Sequence, residues 1–314
     1  MIDAPDITLN VRNVCTKLAV CITFHYSEHR LQYFAEVCKG LEDISPVVIL
    51  TVITNTSDQD ELLKIQSCMD TSKLDFEFFI PHGLGHPYLL AWSHLDIFRK
   101  QFDDISFTHF LYVEDDIKVT KGNVEYWLNS REELKPLGLI PGFFRFEKGD
   151  VNREFYSPEV MSRMSLHDCS LIQLGDGRAF IGIVYPYQGL YFLDRALMEE
   201  HLKGPSSNPD FDHSDGGLLR VQSHDMRERA ALCLTFVNVP SGYRSRYVLP
   251  FNNTNNQIES VCLVHHLPNN YTNNPLTPIG KIKVNDIFIP KSINTYFRKK
   301  MKTIVGSMLR KLLS

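Results

Sequence analysis

Only seven cysteines stand in the 314 residues, at positions 15, 21, 38, 68, 169, 233 and 262, and none is part of a Cys-x-x-Cys pair. An odd, scattered set of this kind argues against a disulfide framework and against a structural zinc knuckle, and it fits a reducing compartment. Long apolar runs are missing as well: residues 1–17 carry Asp3, Asp6, Arg12 and Lys17. Neither a signal peptide nor a membrane anchor is expected there, and a cytoplasmic location is. Positive charge is scarce over most of the chain. The net charge is -4, and setting aside the seven bases between Lys291 and Ser314 leaves residues 1–290 at -11. A body of that sign excludes nucleic acid as a partner. Internal repeats and low-complexity tracts are absent too.

What is present is core-forming sequence, with 43% hydrophobic residues, enough to bury a large α/β domain. The run KLAVCITFHY (17–26) reads as a buried strand, and the following segment repeats Leu31, Phe34, Val37 and Leu41 at helical spacing, with Ser27 as a candidate cap. PVVILTVITNT (46–56) is a second strand, so the first forty residues of the pattern make a βαβ unit. LDFEFFIP (74–81) predicts a third strand and YLLAWSHLDIFRKQF (88–102) an amphipathic helix. In ISFTHFLYVEDDIKVT (105–120) an unbroken apolar stretch halts at three acids. A buried strand thus carries Glu114, Asp115 and Asp116 to its carboxyl end, the edge of an open α/β sheet where ligands bind.

Beyond residue 120 the alternation loosens and a smaller mixed lobe is expected. Helices are predicted over GNVEYWLNSREEL, from about Asp194, and over DMRERAALCL; strands are predicted over 142–149, 178–186 and 258–271, the last ending in His265 and His266. The tail 291–314 places Ile293, Phe297, Met301, Ile304, Val305, Met308, Leu312 and Leu313 along one helical stripe with bases elsewhere. It predicts a helix lying on an anionic membrane surface or docked on the acidic body.

The acid cluster suits a bound divalent cation, because Mg²⁺ and Mn²⁺ favour hard oxygen ligands and bridge carboxylates to phosphates. In an extended segment Glu114 and Asp116 share a face and Asp115 takes the other. With FLYVEDD as its DxD-like motif, the chain resembles the GT-A superfamily of nucleotide-diphospho-sugar glycosyltransferases. The resemblance runs from VCITFHY through HPYLLAW and FLYVEDD to VHHLPNNY, most of residues 17–271. It implies an α/β fold of the GT-A, Rossmann-like kind with a mostly parallel central sheet. Residues 17–120 would be the nucleotide-sugar half, 121–275 the acceptor half, and 1–290 one catalytic domain.

The resemblance further implies a Mn²⁺ or Mg²⁺ cofactor held by Asp116 and completed by a late histidine. Adjacent strand residues face opposite ways, so one of His265 and His266 should reach the metal, with His265 favoured. The first acid is Glu rather than Asp, which puts Glu114 in a contact through water or ribose, with Asp115 beside it. Donor contacts are expected at the ends of the first two strands, from Thr23, His25 and Tyr26 and from Asn55 and Asp58, with His86 and Trp92 as a further platform. An inverting reaction needs a carboxylate base, for which Glu228 is favoured, then Asp225, with Asp212 and Asp215 in the glycine-rich loop. The expected partners are a nucleotide-sugar donor, UDP-linked in the first instance, and a glycan or lipid-linked acceptor, as in surface polysaccharide synthesis.

Two other readings share these residues. A sugar nucleotidyltransferase would use a metal at a similar sheet, but its glycine-rich phosphate loop has no counterpart in HYSEHRLQ (25–32). A non-catalytic carbohydrate-binding relative would bind sugar without metal and without Asp116.

Overall fold

A computed structural model describes residues 14–183, 187–211 and 225–289. The expected amphipathic tail and the candidates Asp212 and Asp215 lie outside the described residues. The architecture is mixed α/β, with several sheets and, among the described residues, six α-helices.

The main sheet follows from the apolar runs. Strand β1 (Lys17–Phe24) is buried almost throughout, as is β2 (Val47–Thr54); β3 (Asp75–Phe79) and β4 (His109–Glu114) complete a parallel set. Strands covered on both faces need continuous rather than alternating hydrophobicity, which is what VCITF and FLYV supply. The spatial order is β3-β2-β1-β4, and the strand Leu190–Asp194 closes the far edge antiparallel to β4. That antiparallel edge was not read from GLYFLD, whose helical continuation was. Because the chain steps outward from β1 to β3 and then returns to the other side of β1, the strand order reverses between β1 and β4. Thr23 sits in register with Glu114 at that crevice.

Helices cover the sheet. In α1 (Leu31–Leu41) Phe34, Val37 and Leu41 of the expected stripe are buried together with Cys38, while Leu31 is half-buried. Ser27 does not cap it: a 3-10 turn, Glu28–Arg30, intervenes, and the Ser27 hydroxyl meets His29 Nδ1 at 2.7 Å instead. Asp58 caps α2 (Gln59–Gln66). The helix predicted over 88–102 is two pieces, a 3-10 helix Pro87–Trp92 and α3 (His94–Asp103). Helix α4 (Lys121–Leu134) opens with a Thr120/Asn123 capping box and buries Trp127 against Phe192 and His109. Asp194 caps α5 (Arg195–Lys203) and Asp225 caps α6 (Met226–Leu232).

The second lobe rests on short pairings. The strand Leu263–His266 runs parallel to Phe144–Lys148 and antiparallel to β5 (Ile117–Lys118), which directly follows the acid cluster. His266 is thereby in register with Ile117, and Leu267 N donates to the Asp116 carbonyl at 2.9 Å. A separate sheet is built around Tyr247–Asn252, with Ala179–Gly182 and Ser170–Gln173 beyond it. Both lobes share one hydrophobic core, which runs from Cys15 to Phe288.

Candidate functional site

A cavity of about 580 Å³ opens at the carboxyl ends of β1 and β4. The acids at 114–116 form one wall, and their surroundings explain how three carboxylates can share it. The guanidinium of Arg30 closes a bidentate pair with Asp115, 2.7 Å from Nε to Oδ2 and 2.6 Å from Nη2 to Oδ1. It also reaches Asp116 Oδ2 at 2.9 Å. Glu114 accepts from the Tyr187 hydroxyl at 2.7 Å and lies 3.9 Å from Arg145 Nη1. Arg145 is itself held by Glu159, 2.7 Å from Nε, and stacks over the Tyr187 ring. The half-buried Arg30 and the buried Arg145 thus offset charge that would otherwise be costly to bury.

His266 adds a third counter-charge. Its Nε2 lies 3.6 Å from Asp116 Oδ2, and its Nδ1 meets the buried Glu147 at 2.6 Å. Burial opposes a charged ring, but the two flanking carboxylates outweigh it and lift His266 to about 9. Burial would likewise raise Asp116, yet His266 and Arg30 hold its carboxyl below the usual carboxylate range. Glu114 is raised, first by burial and then by Asp116. The three acids therefore differ in character, and Asp116 is the one kept ionised by its neighbours.

One atom of this cluster is unsatisfied. Asp116 Oδ1 is buried and has no hydrogen-bond partner in the protein. An orphaned carboxylate oxygen beside an imidazole suits a hard divalent cation such as Mn²⁺ or Mg²⁺. Among the described residues no group of three or more His, Cys, Asp and Glu forms a ready cage for an ion. A cation here would share its coordination with ligand phosphates and water, the usual manner for Mg²⁺.

Strand parity decides between the two histidines. His265 is in register with Phe146 and stacks on it at 4.9 Å, while its Nε2 meets Asn269 Oδ1 at 2.9 Å. The preference for His265 is corrected: the ring beside Asp116 belongs to His266.

The other expected site residues divide. Thr23, His25 and Glu228 line the cavity, as do Asn270 and Tyr271. The others do structural work at its margin or away from it. Asn55 accepts from Tyr26 N at 2.8 Å and so ties the ends of β1 and β2; the Tyr26 ring packs edge-on against Phe24. Asp58 accepts from the amides of Asp60 and Glu61, and His86 Nδ1 from Tyr88 N. Trp92 is buried, and its Nε1 donates to the Met226 carbonyl at 2.7 Å, fixing α6. Asp225 and Glu228 close a capping box on α6: Asp225 Oδ1 accepts from Glu228 N, and Glu228 Oε2 from Asp225 N. Glu228 nevertheless faces the cavity beside Arg227, whereas Asp225 is not part of its lining.

Arg30, Arg145, Glu147 and Tyr187 were not foreseen. For Arg145 and Glu147 a signal exists: in FFRFEK the two charges alternate with aromatics, and a strand that buries both faces does not bury charge without a partner. Arg30 and Tyr187 sit in connecting segments where no periodicity marks them.

No family model matches this chain, and no curated protein does. Solved structures give distant likenesses. Those of S. aureus TarS residues 1–349, alone and in complex with UDP, match with TM-scores of 0.35 at 16% and 17% identity. The match covers 59% of this chain and 49% and 48% of theirs. A longer TarS structure matches with a TM-score of 0.36 over 30% of its length. The chain thus matches about half or less of each of these structures. Among the described residues no helix is long and apolar enough to cross a membrane.

Proposed function

We propose that this protein is a metal-dependent glycosyltransferase of the GT-A kind, moving a sugar from a nucleotide-diphosphate donor to a hydroxyl of a glycan or lipid-linked acceptor. The observation that carries the reading is the buried, unpartnered Oδ1 of Asp116 at the crevice where the strand order reverses. A nucleotide laid across the carboxyl ends of β1 and β2 brings its phosphates to the acids of β4. Asp116 and His266 would hold Mn²⁺ or Mg²⁺. Once bound, the cation acts as a Lewis acid that neutralises charge on the departing diphosphate. UDP is the first nucleotide to test.

The chain's own residues supply the rest. Thr23 and His25 face the donor. Arg30 and Arg145 hold Asp115 and Glu114 so that the wall of acids keeps its shape before any ligand arrives. Arg227 adds a cation to the cavity lining, suited to phosphate oxygens. Glu228 is the residue assigned to take the acceptor proton in an inverting reaction, since it lines the cavity and Asp225 does not. Attachment to an anionic inner leaflet through residues 291–314 belongs to the same reading.

Calorimetry with UDP and Mn²⁺, followed by a screen of UDP-sugars for slow donor hydrolysis, tests it. Binding that requires Mn²⁺ and disappears in Asp116→Ala is expected. Absence of UDP binding at saturating Mn²⁺, with Asp116→Ala behaving as the parent, would sink it.

A further inference from the structure

We infer that Glu147 is the positioning residue of the site: it holds the His266 ring with Nδ1–H donated to its carboxylate and Nε2 turned toward Asp116. The inference rests on the proposed metal-dependent reading for its functional meaning, and on the geometry of the second lobe for its content.

Alternation along Phe144–Lys148 sends Arg145 and Glu147 to one face and Phe146 to the other. Leu263–His266 pairs with it in parallel, His265 opposite Phe146. His266 thus falls on the face that carries Glu147. The Glu147 side chain is fully buried, and its Oε1 stands 2.6 Å from His266 Nδ1. A buried carboxylate needs several donors, and the others are backbone amides of the loop that follows the strand. Thr272 N donates to Oε2 at 2.6 Å, and Tyr271 N to Oε1 at 3.4 Å. The Tyr271 ring in turn stacks on His266 at 5.6 Å. One side chain therefore fixes the imidazole and the cavity-lining loop together.

The chemical consequence concerns which nitrogen is presented. A ring anchored through Nδ1–H keeps Nε2 as the atom facing Asp116, and a metal-ligating histidine generally needs such a partner to hold its tautomer. Nε2 then faces the Asp116 carboxylate, 3.6 Å from Oδ2, and the other oxygen of that carboxylate is the unpartnered Oδ1. Without Glu147 either ring nitrogen is free to carry the proton, and the ring can turn about χ2.

The experiment is ¹⁵N NMR of the histidine side chains in the full chain, with and without Mg²⁺ and UDP, on the parent and on Glu147→Gln. Mn²⁺ affinity is read by calorimetry in parallel. Gln keeps the size of the side chain and one acceptor oxygen, enough for the shorter bond from Thr272 N, while removing the charge, and its melting temperature is measured alongside. In its neutral form the parent His266 ring should carry its proton on Nδ1, with Nε2 the nitrogen that responds to Mg²⁺ and UDP. In Glu147→Gln the two nitrogen signals should move toward a tautomer mixture, and Mn²⁺ binding should weaken about 10- to 100-fold. A parent ring that carries its neutral-state proton on Nε2, or variant nitrogen signals identical to the parent's, overturns the inference. If Glu147→Gln does not fold, the parent spectrum alone decides. Failure of the metal reading looks different: Nδ1 would be protonated as expected, but neither nitrogen would respond to Mg²⁺ and UDP and Asp116→Ala would change nothing.

Discussion

The two halves of the cavity are built with unequal rigidity. β1 pairs with β2 along its whole length, from Lys17 opposite Val47 to Phe24 opposite Thr54, and with β4 from Leu18 to Thr23. The second lobe reaches the same cavity through two register pairs between β5 and Leu263–His266 and three with Phe144–Lys148. The first half presents the acids together with Arg30, and the second presents Arg145 and His266 as further positive charge, with Glu147 behind His266. The negative charge is thus placed by the most extensively paired strands of the molecule, and part of its counter-charge by lightly paired ones.

The contrast is most strongly tested by separating stability from activity. Trp127→Ala empties a fully buried site behind the main sheet and should cost about 3–5 kcal/mol in urea unfolding. Asp116→Asn should leave the urea midpoint within about 0.5 M of the parent while lowering sugar transfer about 100- to 1,000-fold, the loss expected when a group stabilising a developing charge is removed. If both variants moved stability alike, the division of labour would be wrong.

Gly189 marks the seam between the halves. Its φ of +67° is a left-handed conformation, and a Cβ there would come within 3.0 Å of Glu114 Oε2. Gly189→Ala should destabilise by about 1–3 kcal/mol and also disturb Glu114, visible as a lower melting temperature with weaker donor binding.

The core around the main sheet also holds two neutral histidines, His94 at the start of α3 and His109 at the start of β4. Burial holds His94 down to about 3 and His109 down to about 4, against an ordinary value of 6.5. Both rings gain protons on unfolding between those limits, so their contribution to stability is complete above pH 6.5 and is lost as the pH falls toward 4. At pH 5.5 each should subtract about 1.4 kcal/mol, and urea midpoints from pH 7.5 to 5.5 measure it. A flat profile would contradict the buried, neutral assignment. The smallest effect is reserved for the histidine facing away: His265→Gln should alter Mn²⁺ affinity less than about threefold, against about 10-fold or more for His266→Gln.

The first half was largely legible. Apolar runs located β1, β2, β3 and β4, and the abrupt stop at Glu114 placed an acid cluster at the sheet edge, because buried parallel strands announce themselves in composition. The rest was not legible to the same degree. The break at Ser93 inside a helical pattern, the antiparallel edge Leu190–Asp194 and the two-residue β5 are set by tertiary pairing, which periodicity does not encode. The same limit explains the site. Parity showed that only one of His265 and His266 could face the acids, but choosing between them requires the register with Phe146 and Ile117. Asn55, Asp58 and His86 carried polar groups at promising loop positions, and local backbone amides claimed them.

The two-rung ladder between β5 and Leu263–His266, reinforced by Leu267 N on the Asp116 carbonyl, sets the order in which the molecule comes apart on warming. Amides of residues 263–267 should exchange with deuterium well before those of β1, through an opening that leaves the large sheet standing. Donor binding would then vanish at a temperature where most of the molecule is still native, and return on cooling once these two strands, distant in sequence, pair again.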